Sequence, residues 1–296
     1  MAHSLLPAGR HLKELSRTQW MKGEQIRAIQ LKRLRSMLQH CYRTVPFYHR
    51  AMKDAGIYPQ DVRSLDDLCR LPSVGKAEIR KAPFLFRSRR MPKGVFEEST
   101  SGSTAEPFRF LRSRRTYEWE LGAQLRFFGW TGYRLGDRWA VIYRVSPFKS
   151  LREQFEDAAR DVLLRRLRVN DWKISEEGLR RYAKRIFSFR PFLLVGLPKN
   201  LLEFGRFAHQ ENAGVPVLVS TMERIAPFER RLVNEMWGGE VYDMYGSAEA
   251  RSVASECGEH DGLHISDELY VLEFVRDGEH VSPGEQGRIL VTSLYH

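Results

Sequence analysis

The stretch from residue 190 to 245 constrains the fold most. Apolar cores at Phe192–Val195, Val217–Val219 and Val241–Tyr242 recur about one βα unit apart. The intervening stretches are punctuated as helices. Asn200 is a candidate cap for the first and Gly214 a candidate stop, while Pro227 stands where a first helical turn accepts proline. Strand–helix–strand–helix–strand order predicts parallel pairing through crossovers, and so an α/β sheet. After Gly262 the pattern turns antiparallel, with Leu269–Val275 and Arg288–Leu294 flanking turns at Asp277-Gly278 and Pro283-Gly284.

Upstream, the first eighty-odd residues read as helical. Leu31, Leu34, Leu38 and Cys41 form an amphipathic stripe that Pro46 closes. Ser64-Leu65-Asp66-Asp67 predicts the N-cap of a short helix, broken by Leu71-Pro72-Ser73. From Phe96 the character changes to short strands and Gly-containing turns. Residues 151–170, with five arginines and four acidic residues, read as a surface helix.

Composition narrows the class. A chain of 296 residues that is 42% hydrophobic can bury a core, which excludes disorder. It has no apolar run of about 18 residues to span a membrane and no secretory leader pattern. Its three cysteines, Cys41, Cys69 and Cys257, make no disulfide framework, so the expectation is a soluble cytoplasmic protein. The net charge of +11 is unevenly placed: residues 1–200 carry 41 Lys+Arg against 20 Asp+Glu, residues 201–296 carry 7 against 17. Arginine accounts for 37 of the 48 basic residues, which suits phosphate or carboxylate recognition, although exposed arginines on solvated faces account for the same bias. No groove-reading or base-stacking motif accompanies the basic region, so no specific nucleic acid is expected. A homodimer is left open.

Three segments could carry chemistry. Ser99-Thr100-Ser101-Gly102-Ser103-Thr104 packs hydroxyls around a glycine, a cradle for phosphate oxygens, though an ordinary Ser/Thr-rich turn has the same composition. Asp243-Met244-Tyr245-Gly246-Ser247-Ala248-Glu249 follows the last parallel strand, at the edge where open α/β sheets bind ligands. There Tyr245 could stack on a base, Gly246 admits a ligand to the backbone, and Glu249 could hold Mg²⁺; a plain turn is the alternative. Ser220-Thr221-Met222-Glu223 and Gly196-Leu197-Pro198 end the two preceding strands on the same rim. Cys257 and His264, with His260 between them, offer a zinc alternative. A structural zinc needs four ligands at tighter spacing, so a solvated loop is the preferred reading there.

Taken in order, these segments resemble the phenylacetate–CoA ligase-like (CapK-like) branch of the adenylate-forming, AMP-binding enzymes. The resemblance starts at Tyr42-Arg43-Thr44-Val45-Pro46-Phe47-Tyr48 and Asp66-Asp67-Leu68, and it runs to Pro283-Gly284-Glu285-Gln286-Gly287. It implies an N-terminal helical segment, residues 1–85, packed on a layered α/β large domain, residues 86–296. That domain would contain parallel βαβ units and a following antiparallel section, incomplete at its end, with the small C-terminal domain absent. It implies an ATP-dependent acid–CoA ligase, with ATP, Mg²⁺ and coenzyme A, acting on a small carboxylic acid. Ser101, Gly102, Ser103 and Thr104 would bind phosphates, and Met222, Glu223, Asp243, Tyr245 and Gly246 the nucleotide. Gly196, Leu197 and Pro198 would face the acyl substrate, Glu249 would bind magnesium, and Thr104 and Glu249 would stand nearest the reaction. Two departures bear on activity. Ala105-Glu106-Pro107 stands where the family has Gly-Lys-Pro, and the segments that follow the last strand in the family, including the catalytic lysine, have no counterpart before His296. The implied outcome is nucleotide binding, with adenylation weak or absent in this chain alone. A degenerate homologue used for binding or scaffolding is the alternative.

Overall fold

A computed structural model describes residues 5–100, 107–143, 151–170 and 175–295. In chain order the elements are α1 (Leu5–Thr18), α2 (Gly23–Thr44), α3 (Pro46–Asp54), α4 (Lys76–Lys81), β1 (Val95–Ser99), β2 (Arg109–Ser113), α5 (Arg114–Trp130), β3 (Trp139–Tyr143), α6 (Leu151–Leu163), β4 (Arg166–Asn170) and α7 (Glu176–Phe189). They continue with β5 (Leu193–Gly196), α8 (Pro198–Gln210), β6 (Val217–Thr221), α9 (Pro227–Trp237), β7 (Glu240–Tyr245), β8 (Ala254–Ser255), β9 (His264–Ile265), β10 (Tyr270–Arg276), β11 (Glu279–His280) and β12 (Arg288–Ser293). They divide into two compact units. The first comprises Gln124–Ser247 and Ser252–Ile265; the second holds the chain up to Ala123, Ala248–Arg251 and the residues from Ser266 onward.

The first unit is built on a sheet of order β4-β3-β5-β6-β7-β8-β9, parallel through β7 and antiparallel from β8. The three apolar cores read from the sequence are β5, β6 and β7, apolar on both faces as buried parallel strands require. Leu194, Leu218 and Val241 pack with Ile186, Phe204, Val233 and Trp237 of α7 to α9. Leu193, Val195, Val217, Val219 and Tyr242 pack on the opposite face with Phe127 and Phe128.

Several local expectations are corrected. Pro198 opens α8 after an extended Leu197, and Asn200 lies buried inside the first turn instead of capping it. That helix ends at Gln210, before Gly214, which serves a close approach: a Cβ there would stand 3.0 Å from the Trp237 carbonyl oxygen. The basic segment is helical only to Leu163, and its end is strand β4, turned by Arg165 at φ +46°. Asp161 neutralises Arg166 and Arg168 at 2.7 and 2.6 Å, so alternating arginines coexist with a buried Val169. The antiparallel section begins at Ala254, before Gly262.

The second unit contains α1 to α4, the β1–β2 hairpin, the start of α5 and the antiparallel β11-β10-β12 sheet. Leu34 and Leu38 of α2 pack with Met52, Ile57, Val62 and Leu68, and with Val271 and Leu294. Ser64 does not cap the short 3₁₀ turn Asp66–Arg70. Instead the Asp67 carboxylate accepts the Arg63 and Ser64 backbone N–H groups, at 2.7 and 2.9 Å.

A stacked column also marks this unit. The His11 ring lies 4.0 Å from Trp119, Trp119 lies 4.4 Å from Tyr295, and Arg33 caps both at 4.9 and 4.7 Å. His11 Nδ1 is buried without a hydrogen-bond partner among the described residues, and burial holds the imidazole below its usual range. Below about pH 6.5 the unfolded chain therefore binds a proton that the folded one still refuses, so stability falls as pH drops through that window. His11→Phe keeps the stack and should flatten the slope of the urea midpoint between about pH 7 and 5. An unchanged slope would exclude His11 as its source.

Candidate functional site

The parallel register aligns the predicted rim. Gly196 of β5 stands opposite Ser220 of β6, and Ser220 opposite Asp243 of β7. Each of these strands ends at that same edge, because parallel strands present their carboxyl ends together. Gly196 packs closely, since a Cβ there would come 3.3 Å from Leu201 Cδ2 and that side chain would have to give way. Ser220 is fully buried, and its Oγ has no hydrogen-bond partner among the described residues. Met222, just past β6, takes φ +70° and is exposed. A non-glycine residue held there stores about 1 kcal/mol or more of strain, a feature that concentrates at binding sites. Glu223 is exposed beside it, Leu197 is partly buried and Pro198 is buried. Tyr245 ends β7 with its ring partly open to solvent, followed by a half-buried Gly246.

A buried ion pair fixes the approach to Tyr245. Arg230 of α9 donates to both Glu256 carboxylate oxygens at 3.1 and 3.0 Å and to the Val241 carbonyl at 2.6 Å. Glu256 in turn accepts the Asp243 N–H at 2.8 Å. Burial first, and the Glu256 charge second, push the Asp243 carboxyl above its usual range. Cys257 Sγ and His264 Nε2 are brought within 3.2 Å. Among the described residues no group of three or more His, Cys, Asp or Glu could hold a metal, so the pair lacks the further ligands that zinc needs.

In the second unit, Glu249 is largely buried and its carboxylate meets Lys76 Nζ at 2.5 Å. It is the right donor for magnesium, which takes one or two carboxylates along with phosphate oxygens, and here a cation already satisfies it. Ser101, Gly102, Ser103 and Thr104 lie outside the described residues. Their stem is described: Thr100 N–H donates to the Phe108 carbonyl, and Phe108 N–H to Thr100 Oγ1, both at 3.0 Å. Below that stem runs a fully buried arginine. Arg112 Nε donates to Glu98 at 2.6 Å, its Nη1 to Glu120 and its Nη2 to the Ala248 carbonyl. Arg251 closes the ring onto Glu98 at 2.8 Å. Lys76, Arg112, Glu120, Arg230 and Glu256 were not legible as site residues. The signal available was a charge set among aromatic or apolar neighbours, as in Phe108-Arg109-Phe110-Leu111-Arg112 and Tyr117-Glu118-Trp119-Glu120.

The fold is that of the adenylate-forming ligases. A solved 2-hydroxyisobutyryl-CoA ligase, determined with 2-HIB-AMP and CoA, superposes with a TM-score of 0.74 over 93% of this chain and 61% of its own, at 22% identity. In sequence the chain is related to phenylacetate–coenzyme A ligases: 26% identical over 290 residues to that of Aromatoleum evansii, and 27% over 283 residues to that of Escherichia coli (strain K12). Each match takes in 92% of this chain, which spans 63% of the relative's length. No family model matches the chain.

Proposed function

We propose that this chain binds ATP with Mg²⁺ and a small carboxylic acid, as the nucleotide- and acyl-binding part of an acid–CoA ligase. In the proposed reaction a carboxylate oxygen attacks the α-phosphorus of ATP and the bond to pyrophosphate breaks. The coenzyme A thiol then attacks the acyl carbon and AMP leaves. Positioning and charge neutralisation carry such a transfer, so no protein nucleophile is required. The observation that carries the reading is the single rim formed by the ends of β5, β6 and β7. Relationship to the phenylacetate–CoA ligases supports it. In this reading Tyr245, Gly246, Asp243, Met222 and Glu223 serve the nucleotide, and Gly196, Leu197 and Pro198 the acid. Ser101, Gly102, Ser103 and Thr104 bind phosphates, while Glu249 binds magnesium once Lys76 yields it.

Calorimetry with ATP and Mg²⁺ tests this. The folded chain should bind, Tyr245→Ala should weaken binding about tenfold through the lost stacking, and Glu249→Gln should remove the gain that Mg²⁺ brings. No heat from folded protein would end the proposal. Glu106, an anion in the phosphate segment, favours a second reading as a binding or scaffolding homologue. Under that reading, pyrophosphate exchange stays absent even where ATP binds.

A further inference from the structure

We infer that Arg112 is a positioning residue for Glu249, tying the segment that carries this carboxylate to the β1–β2 hairpin. The inference rests on the reading of Glu249 as the magnesium residue. Three facts within the second unit carry it. The guanidinium is wholly buried and divides its donors among three elements: Glu98 on β1, Glu120 on α5, and the Ala248 carbonyl immediately before Glu249. The same cluster grips the chain after Glu249, because Glu120 accepts the Arg251 N–H at 3.3 Å and the Tyr270 hydroxyl reaches the Arg251 carbonyl at 2.8 Å. Finally, Arg112 and Glu98 belong to the two paired strands β2 and β1, in the register Ser99 opposite Arg109.

Backbone on both sides of Glu249 is thus held by groups that also hold the β1–β2 hairpin. Packing alone does not require this. Well-packed apolar side chains would join the same elements without desolvating Arg112 and Glu120. What the ionic quartet adds is direction: a planar fork aims at one carbonyl and two carboxylates at once. A carboxylate that would hold a metal needs placing to within about half an ångström, which a rigid anchor on both sides of it provides.

The test is calorimetry of ATP binding to the whole chain with and without Mg²⁺. Arg112→Lys keeps the buried positive charge opposite Glu98 and Glu120 but loses the reach to Ala248. ATP affinity without metal should stay within about twofold of wild type, while the gain on adding Mg²⁺ should shrink by about tenfold or more, as for groups that orient a metal ligand. The double variant with Glu249→Gln should show no further loss, since both act on one interaction. Tyr270→Phe, which removes only a hydroxyl, should fold and lower the Mg²⁺ gain by a smaller factor, so the inference is tested even if Arg112→Lys does not fold. Equal loss with and without metal, or an unchanged Mg²⁺ gain in Tyr270→Phe and Arg112→Lys alike, would overturn the positioning role. Wild-type binding of ATP with no Mg²⁺ gain also overturns it and leaves the nucleotide reading standing, whereas no ATP binding at all removes both.

Discussion

Gly239→Ala is expected to destabilise the first unit by about 3 kcal/mol or more, the upper range for a core overpacking change. An added Cβ would lie 2.0 Å from the Val215 carbonyl oxygen and 2.8 Å from that of Pro216. Both are backbone atoms in the segment leading into β6, so no rotamer change relieves the clash. The same segment sets the strand pair: the Pro216 carbonyl accepts the Glu240 N–H at 3.0 Å, and the Val215 N–H donates to the Trp237 carbonyl at 3.1 Å. Pushing them apart shifts β7 against β6, and with it the strand end that carries Asp243 and Tyr245. The adjacent Gly238 is the control. It has φ +61° and open space around it, so Gly238→Ala should cost only about 1 kcal/mol, for the left-handed backbone. Urea midpoints of the two variants decide the matter. Equal midpoints would sink the argument from close approach.

The second large effect is at the buried quartet. Arg112→Met should cost about 3–5 kcal/mol, because Glu98 and Glu120 lose the cation that compensates their desolvation. Burial already pushes the Glu120 carboxyl above its usual range against the pull of Arg112. Without that pull the carboxyl rises further, and the folded state then gains protons over the unfolded one as pH falls. The deficit should therefore be larger at about pH 8 than at about pH 5. Combining Arg112→Met with Glu120→Gln should recover part of the loss, since an isosteric neutral group replaces an uncompensated charge. A pH-independent deficit that the second change deepens would contradict this account.

How far the sequence could be read depended on whether the signal was local. Phe192–Val195, Val217–Val219 and Val241–Tyr242 are continuous apolar runs, and such runs bounded by turn residues became β5, β6 and β7. Pro227, whose fixed φ suits a first turn, opened α9 as expected. Helix α5 escaped notice because Trp119, Ala123, Phe127 and Phe128 are all buried, and a helix covered on several sides shows no amphipathic stripe. Strand β4 was hidden by its arginines, whose charge is neutralised by Asp161 from the preceding helix. For the candidate site, Gly196, Ser220 and Tyr245 could be assigned to strand ends by position alone. Lys76, which holds Glu249, lies 173 residues away in the chain and has no local mark of that partnership.

By itself, then, the sequence determined the run β5–α8–β6–α9–β7, the parallel core and the rim that its strand ends share. These follow from periodicity, from proline and glycine geometry, and from the rule that parallel strands end together. Tertiary structure decided which charges are buried and with whom. Arg112 and Glu120 are eight residues apart and could have been ordinary surface charges. Only the meeting of β1, β2, α5, the 248–251 segment and β10 makes them a desolvated pair, because the energy of an ion pair depends on its surroundings and not on the identity of its residues.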